Sequence, residues 1–227
     1  MAVVIRAILF DAAGTLIYLP RGVGWHYREI AARHGMELEE KRLGAAFGAA
    51  FKGAGPRVGG GVSGPEDDKL WWRALVRRVL AACGEEPGDL VFEGMFEELY
   101  GRFAEPGVWA LYPEAAAVLE ALRGRYRLGM VSNFDRRLYP VLEQLRVREW
   151  FETIVISSEL GVDKPDGRMF AAALEALGVA PGETVHAGDD PEQDWRAAEA
   201  AGLHVYRVER PARGLEGLPE FVRGLGA

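Results

Sequence analysis

The 227-residue chain is poor in cysteine, histidine and lysine, with one Cys and four His. Cys83 has no partner for an internal disulfide, and one Cys with four His cannot build a zinc site of the usual spacing. Any metal must therefore be held by oxygen. No apolar run approaches the roughly 20 residues that span a bilayer, so no membrane partner is expected. The apolar N-terminus Ala2–Phe10 is interrupted by Arg6 and runs into Asp11 instead of a small-residue cleavage site. A cytoplasmic chain that keeps its N-terminus is expected. Positive charge is also in deficit, with 27 Lys+Arg against 34 Asp+Glu and a net charge of −7. That disfavours a nucleic-acid partner, which asks for a basic face, but not a small-molecule anionic substrate, which responds to local fields. With 49% hydrophobic residues, the length suits one full domain plus a smaller insert. Monomer and homodimer are both compatible with this composition.

What is present is a rhythm. Val3–Phe10 is a short apolar run rich in β-branched residues, as expected of a strand buried on both faces. From there to Pro106 the apolar spacing is helical, over Trp25–His34, Glu39–Phe51, Leu70–Ala82 and Phe92–Phe103. After Pro106 the pattern alternates. Strands are expected at Tyr126–Val131, Thr153–Ile156, Thr184–Ala187 and Leu203–Val208. Helices are expected from Pro113, then near Arg136–Leu145, Arg168–Leu177 and Glu192–Ala201. Strand and helix in turn imply an α/β fold with a parallel, Rossmann-like sheet covered on both faces. The expected domains are an α/β core of residues 1–16 and 107–227 and an inserted α-helical cap of residues 17–106. The glycine-rich stretch Gly53–Gly64 lacks the Gly-Lys-Ser/Thr ending of a phosphate-binding P-loop and reads as a cap loop. The cap also carries Trp25, Trp71, Trp72, His26, Arg28 and Arg57, to which the sequence assigns no role.

Four polar clusters fall at the expected carboxyl ends of strands, where open parallel sheets collect ligands. They are Asp11-Ala12-Ala13-Gly14-Thr15, Ser132-Asn133-Phe134-Asp135, Lys164-Pro165-Asp166 and Gly188-Asp189-Asp190-Pro191-Glu192-Gln193-Asp194. A lone strand-end aspartate is an ordinary helix cap or turn former. Four clusters in this order are not explained as caps.

In these residues the chain resembles the haloacid dehalogenase (HAD) superfamily, over nearly its whole length. The resemblance implies a strand order of 3-2-1-4-5. It implies that Asp11 is the nucleophile, attacking the electrophile to form an aspartyl ester that is then hydrolysed. Thr15, Ser132 and Asn133 would bind the oxygens of a phosphoryl group. Lys164, one of four lysines against 23 arginines, would neutralise charge beside Asp11. Asp11, Asp189 and Asp194, with Asp190 as a further candidate and the backbone carbonyl of Ala13, would hold Mg²⁺, which favours carboxylates plus waters and substrate oxygens. His186 reads as a core or strand-end histidine.

The pattern breaks at Ala13. Phosphatases of this family resemble Asp-x-Asp, whose second aspartate protonates the leaving alcohol, and the loss of a general acid costs about 10²–10⁴ in rate. The expected function is Mg²⁺-dependent hydrolysis of a small phosphorylated metabolite, with a good leaving group or an acid borrowed from the cap or from Asp135. Three alternatives stand beside it. One is a 2-haloacid dehalogenase, whose halide leaves without a proton. Another is an activity like that of phosphonoacetaldehyde hydrolase, with Lys52 forming a Schiff base. The last is a catalytically impaired protein that binds a phosphate ligand.

Overall fold

The computed structural model describes residues 4–55 and 64–226. Most of the glycine-rich stretch, with Arg57, lies outside the described residues. β1 (Ala7–Phe10) and β2 (Ile17–Tyr18) precede four helices, α1 (Gly22–Arg33), α2 (Glu40–Lys52), α3 (Pro65–Ala82) and α4 (Asp89–Arg102). Next come β3 (Ala110–Leu111), α5 (Ala115–Leu122), β4 (Arg127–Ser132), α6 (Leu138–Gln144), β5 (Thr153–Ile156) and α7 (Ser157–Leu160). The chain ends with α8 (Arg168–Leu177), β6 (Thr184–Gly188), α9 (Ala197–Ala200), β7 (His204–Arg207) and α10 (Leu218–Leu225). Two compact units result, one from residues 4–18 and 110–226, the other from residues 19–55 and 64–109. No helix among the described residues is long and apolar enough to cross a membrane.

The first unit is built on a five-stranded sheet of order β5-β4-β1-β6-β7, with every pair parallel. In chain order of these five strands this is the 3-2-1-4-5 arrangement that the resemblance implies. All four residues of β1 are buried, because β4 and β6 flank it and both faces are covered. On one face Ala7, Leu9 and Val131 pack against Met169, Phe170, Ala173 and Leu177, the apolar stripe of α8. α8 stops at Gly178, whose φ of +60° suits the left-handed C-terminal cap.

The first strand is shorter than the apolar run. Its partners enter the register at Arg127 and Thr184, both opposite Ala7, and Val4 is 68% exposed. Apolar residues that precede the first paired residue have no sheet to join. The alternation also missed β2 and β3, a two-residue antiparallel ribbon, as well as α7 and α10. The expected helix Glu192–Ala201 is a wide turn over Pro191–Arg196 followed by α9. In that turn the carbonyl of Asp190 accepts from both Asp194 N and Trp195 N. Such π-type turns within helices occur frequently at functional sites.

The second unit is four helices around one apolar core. α4 supplies Phe92, Met95, Phe96 and Leu99, a stripe at helical spacing, which packs with Tyr27, Ile30, Leu43, Val76 and Val79. α3 opens with three acidic residues in its first turn, and the Asp67 carboxylate accepts from Gly64 N at 2.8 Å. Lys52 is the exposed last residue of α2.

Candidate active site

The central strand delivers Asp11 to the carboxyl edge of the sheet. Its N–H donates to Ala187 O at 2.9 Å, so the β1–β6 ladder carries on into the turn after β1. The chain then folds tightly, with the carbonyl of Ala12 accepting from the amides of Thr15, Leu16 and Ile17, and Gly14 N donating to Ile17 O. Gly14 has φ +94°, and a Cβ there would lie 2.4 Å from Asp189 Oδ2. Glycine is required on both counts. Thr15 Oγ1 donates to Asp189 Oδ1 at 3.1 Å, which ties the first cluster to the fourth.

Lys164 is the centre of the arrangement. Its buried Nζ donates to Asp11 Oδ1 at 2.7 Å and to Asp194 Oδ1 at 2.5 Å. Ser132 Oγ donates to the same Asp11 oxygen at 3.1 Å. His186 Nε2 lies 2.9 Å from Asp194 Oδ1, and Asp190 N donates to Asp194 Oδ2 at 3.0 Å. Asp194 is thus engaged through both oxygens. Its place beneath the end of β6 depends on Gly188, where a Cβ would sit 2.3 Å from Asp194 Cγ.

The electrostatics follow from burial against this one ammonium. Burial favours the neutral forms, but the carboxylates of Asp11 and Asp194 outweigh it and raise the Lys164 pKa, so the side chain stays charged. Asp194 faces the same penalty, and Lys164 together with His186 overcomes it and holds the carboxyl below the ordinary range. Burial wins at Asp11, whose carboxyl is raised despite Lys164. Among the described residues no cation pairs with Asp189. Burial, then Asp11 and Asp194, push it up to about 7.

Asp11, Asp189 and Asp194 each offer an oxygen within 4.8 Å of the others. Asp11 and Asp194 share one ammonium and, among the described residues, Asp189 pairs with none, so the cluster carries more negative charge than its own residues neutralise, and a hard divalent cation would complete it. The donor set fits Mg²⁺. Of the carbonyls of residues 12–15, Ala13's alone accepts no hydrogen bond among the described residues, which leaves it able to turn to a cation. Asp190 stands outside this cluster. Its Oδ1 accepts from Glu192 N and Gln193 N, both at 2.8 Å, capping the wide turn, so its side chain is not placed as a ligand.

Two further expectations are corrected by geometry. Asn133 spends its amide within the protein: Oδ1 accepts from Lys164 N at 2.7 Å, and Nδ2 donates to Lys164 O and Gln193 Oε1, both at 2.9 Å. It clasps the segment that carries Lys164, and its side-chain amide has no donor left for a phosphoryl oxygen. Asp135 is not a spare acid, because Arg137 grips both its oxygens, at 2.8 and 2.6 Å, in a buried pair. His186 and Gln193 were not expected in the site. The signal for His186 was available, since residues 186 and 188 of one strand share a face.

A model of the haloacid dehalogenase-like hydrolases matches residues 5–202. The bovine (Bos taurus) haloacid dehalogenase-like hydrolase domain-containing protein 3 is 34% identical over 213 residues, 91% of this chain and 83% of that protein. A phosphoserine phosphatase of Thermus thermophilus is 38% identical over 145 residues, 63% of this chain and 58% of its own. Among solved structures, the defluorinating L-2-haloacid dehalogenase Rha0230 superposes with a TM-score of 0.73 at 24% identity, over 91% of this chain and 82% of that one. With its parallel sheet and the family model running across both units, the chain belongs to the haloacid dehalogenase-like hydrolases.

Proposed function

We propose that this hydrolase removes a phosphoryl group from a small phosphorylated metabolite, through an aspartyl-phosphate on Asp11, with the helical unit serving as a cap. The observation that carries the reading is the cluster of Asp11, Asp189 and Asp194 around one buried lysine, which suits a divalent cation and has no evident use in a displacement that needs no metal. The similarity to a phosphoserine phosphatase supports it. Bound there, Mg²⁺ would neutralise phosphoryl oxygens and so lower the barrier to attack.

This chain's residues do the rest. An oxygen of Asp11 forms a bond to phosphorus while the bond to the leaving oxygen breaks, and the leaving group departs with that electron pair. Water then attacks phosphorus, inorganic phosphate is released and the Asp11 carboxylate is restored. Lys164 holds Asp11 by one oxygen, and Thr15 and Ser132, whose hydroxyls donate to Asp189 and Asp11, would turn them to a bound phosphoryl group. With alanine at 13 the carboxylic acid that would protonate the leaving oxygen is missing from that position. Substrates whose leaving groups are stable as anions, acyl and aryl phosphates, are therefore favoured over alkyl phosphates.

The same alanine favours a second reading, displacement of halide from a 2-haloacid, because halide needs no proton. A panel of acyl, aryl and alkyl phosphates and 2-haloacids, assayed in Mg²⁺ and in EDTA, separates the two. Phosphate release that needs Mg²⁺ and is lost in Asp11→Asn supports the phosphatase, and halide release in EDTA supports the dehalogenase.

A further inference from the structure

Arg210 follows β7, far in sequence from the four clusters, yet it reaches the nucleophile turn. Its Nε donates to Gly14 O at 3.2 Å, and its Nη2 donates to Thr15 O at 3.0 Å and to Glu114 Oε1 at 2.5 Å. The guanidinium carbon lies 3.3 Å from the centroid of the Tyr112 ring. Glu114 Oε1 is itself fixed by Leu215 N at 3.2 Å. One planar cation therefore joins the turn after β1, the segment after β3 and the loop after β7. Only arginine presents donors in a fork that can span two successive carbonyls and a carboxylate while stacking on a ring.

We propose that Arg210 is a positioning residue that sets the nucleophile turn against Asp189, and that by occupying the carbonyls of Gly14 and Thr15 it leaves Ala13's as the turn's available acceptor. The proposal rests on the reading of Asp11, Asp189 and Asp194 as a cation-assisted hydrolytic site. Ala12 O is filled by the turn's own amides and Gly14 and Thr15 by Arg210, so the carbonyl of Ala13 is the one that remains. The Gly14 Cα packs against the Asp189 carboxylate and Thr15 bonds it, so rotation of the peptides at 14 and 15 would move the Asp189 side chain with them. Among the described residues Arg210 makes no hydrogen bond or ion pair with Asp11. Its effect passes through the backbone.

The test compares the full chain with Arg210→Met, which keeps a long apolar side chain over Tyr112 and removes the donors, and with Arg210→Lys, which restores the charge and one donor. Three readouts are taken: hydrogen exchange of the amides from Gly14 to Ile17, terbium(III) luminescence as a cation probe, and kcat and KM on p-nitrophenyl phosphate. Arg210→Met is expected to speed exchange in that turn, and to weaken terbium binding and lower kcat by about tenfold or more with little change in KM, the scale of lost outer-shell support at metal sites. Arg210→Lys is expected to fall between the two, and it stands in if Arg210→Met does not fold. Unchanged exchange at the turn would overturn the proposal. So would faster exchange with native terbium affinity and native kcat, which marks a purely structural contact. If the unaltered protein binds no terbium and turns over no phosphate, the hydrolytic reading fails instead, and exchange alone decides whether Arg210 holds the turn.

Discussion

Lys164 Nζ meets Asp194 Oδ1 at 2.5 Å, closer than the 2.7 Å at which it meets Asp11 Oδ1. The lysine is therefore anchored by a carboxylate that His186 and the Asp190 amide hold in place, and it presents its charge to Asp11 from a fixed position. That arrangement is preorganised, which is what electrostatic stabilisation of a transition state requires.

Removing the ammonium should cost stability as well as activity. Lys164→Met leaves Asp11 and Asp194 buried without their shared partner, and breaking a buried pair in this way typically costs roughly 3–5 kcal/mol. Urea unfolding in EDTA measures it. Lys164→Arg should not restore activity, because the planar guanidinium does not fit a site built around a compact ammonium.

If Asn133 clasps Lys164 and does not bind substrate, Asn133→Ala should lower kcat by about 10–100-fold, the range for outer-shell residues at metal sites, and leave KM almost unchanged. Steady-state kinetics on p-nitrophenyl phosphate decide. A rise in KM with native kcat would return Asn133 to the substrate.

Asp189 gives the cation-free protein a pH dependence of definite sign. Its carboxyl is raised in the folded state from an ordinary 3.8 to about 7, and Asp11 is raised in the same direction. Through these two carboxyls the folded state binds more protons than the unfolded one between those values, so their contribution to stability in EDTA should fall as pH rises from 4 towards about 7, while His26, held below its ordinary value by burial, contributes in the opposite direction. Asp194 is lowered instead, so its contribution is lost only below the ordinary carboxylate range, outside this window. Asp189→Asn should flatten the slope, and so should saturating Mg²⁺. Thermal melts across that range, with and without the cation, check both.

Ala13 is exposed at the turn among the described residues, which leaves room for a longer side chain. Ala13→Asp should raise kcat/KM on alkyl phosphates by up to about 10²-fold, the lower end of general-acid effects, with little gain on aryl phosphates whose leaving groups need no proton. An equal response from both substrate types would show that the missing acid is not the limit.

The core strands were legible because each is a short apolar run, four of them followed by a polar cluster; their parallel pairing followed from the alternation with helices, and their order from the family resemblance. β2 and β3 were not, since two residues carry no periodicity. The motif positions of the site were legible too, but side-chain direction was not. Asp189 and Asp190 are neighbours of one type, and only the path of the wide turn after Pro191 sends one carboxylate to the cluster and the other to cap backbone amides. Asn133 looked like a ligand residue because it follows Ser132, yet its amide faces the Lys164 backbone. Arg210 was invisible as one of 23 arginines, with no local pattern to mark it.

The central claim is that Asp11 is phosphorylated during turnover. The direct measurement is mass spectrometry of enzyme quenched in acid within one turnover of p-nitrophenyl phosphate in Mg²⁺. The account predicts one phosphoryl group on the peptide carrying Asp11, absent in EDTA and absent in Asp11→Asn. Turnover with no phosphoryl group on that peptide, or a carbon ester there after incubation with a 2-haloacid in EDTA, would contradict it.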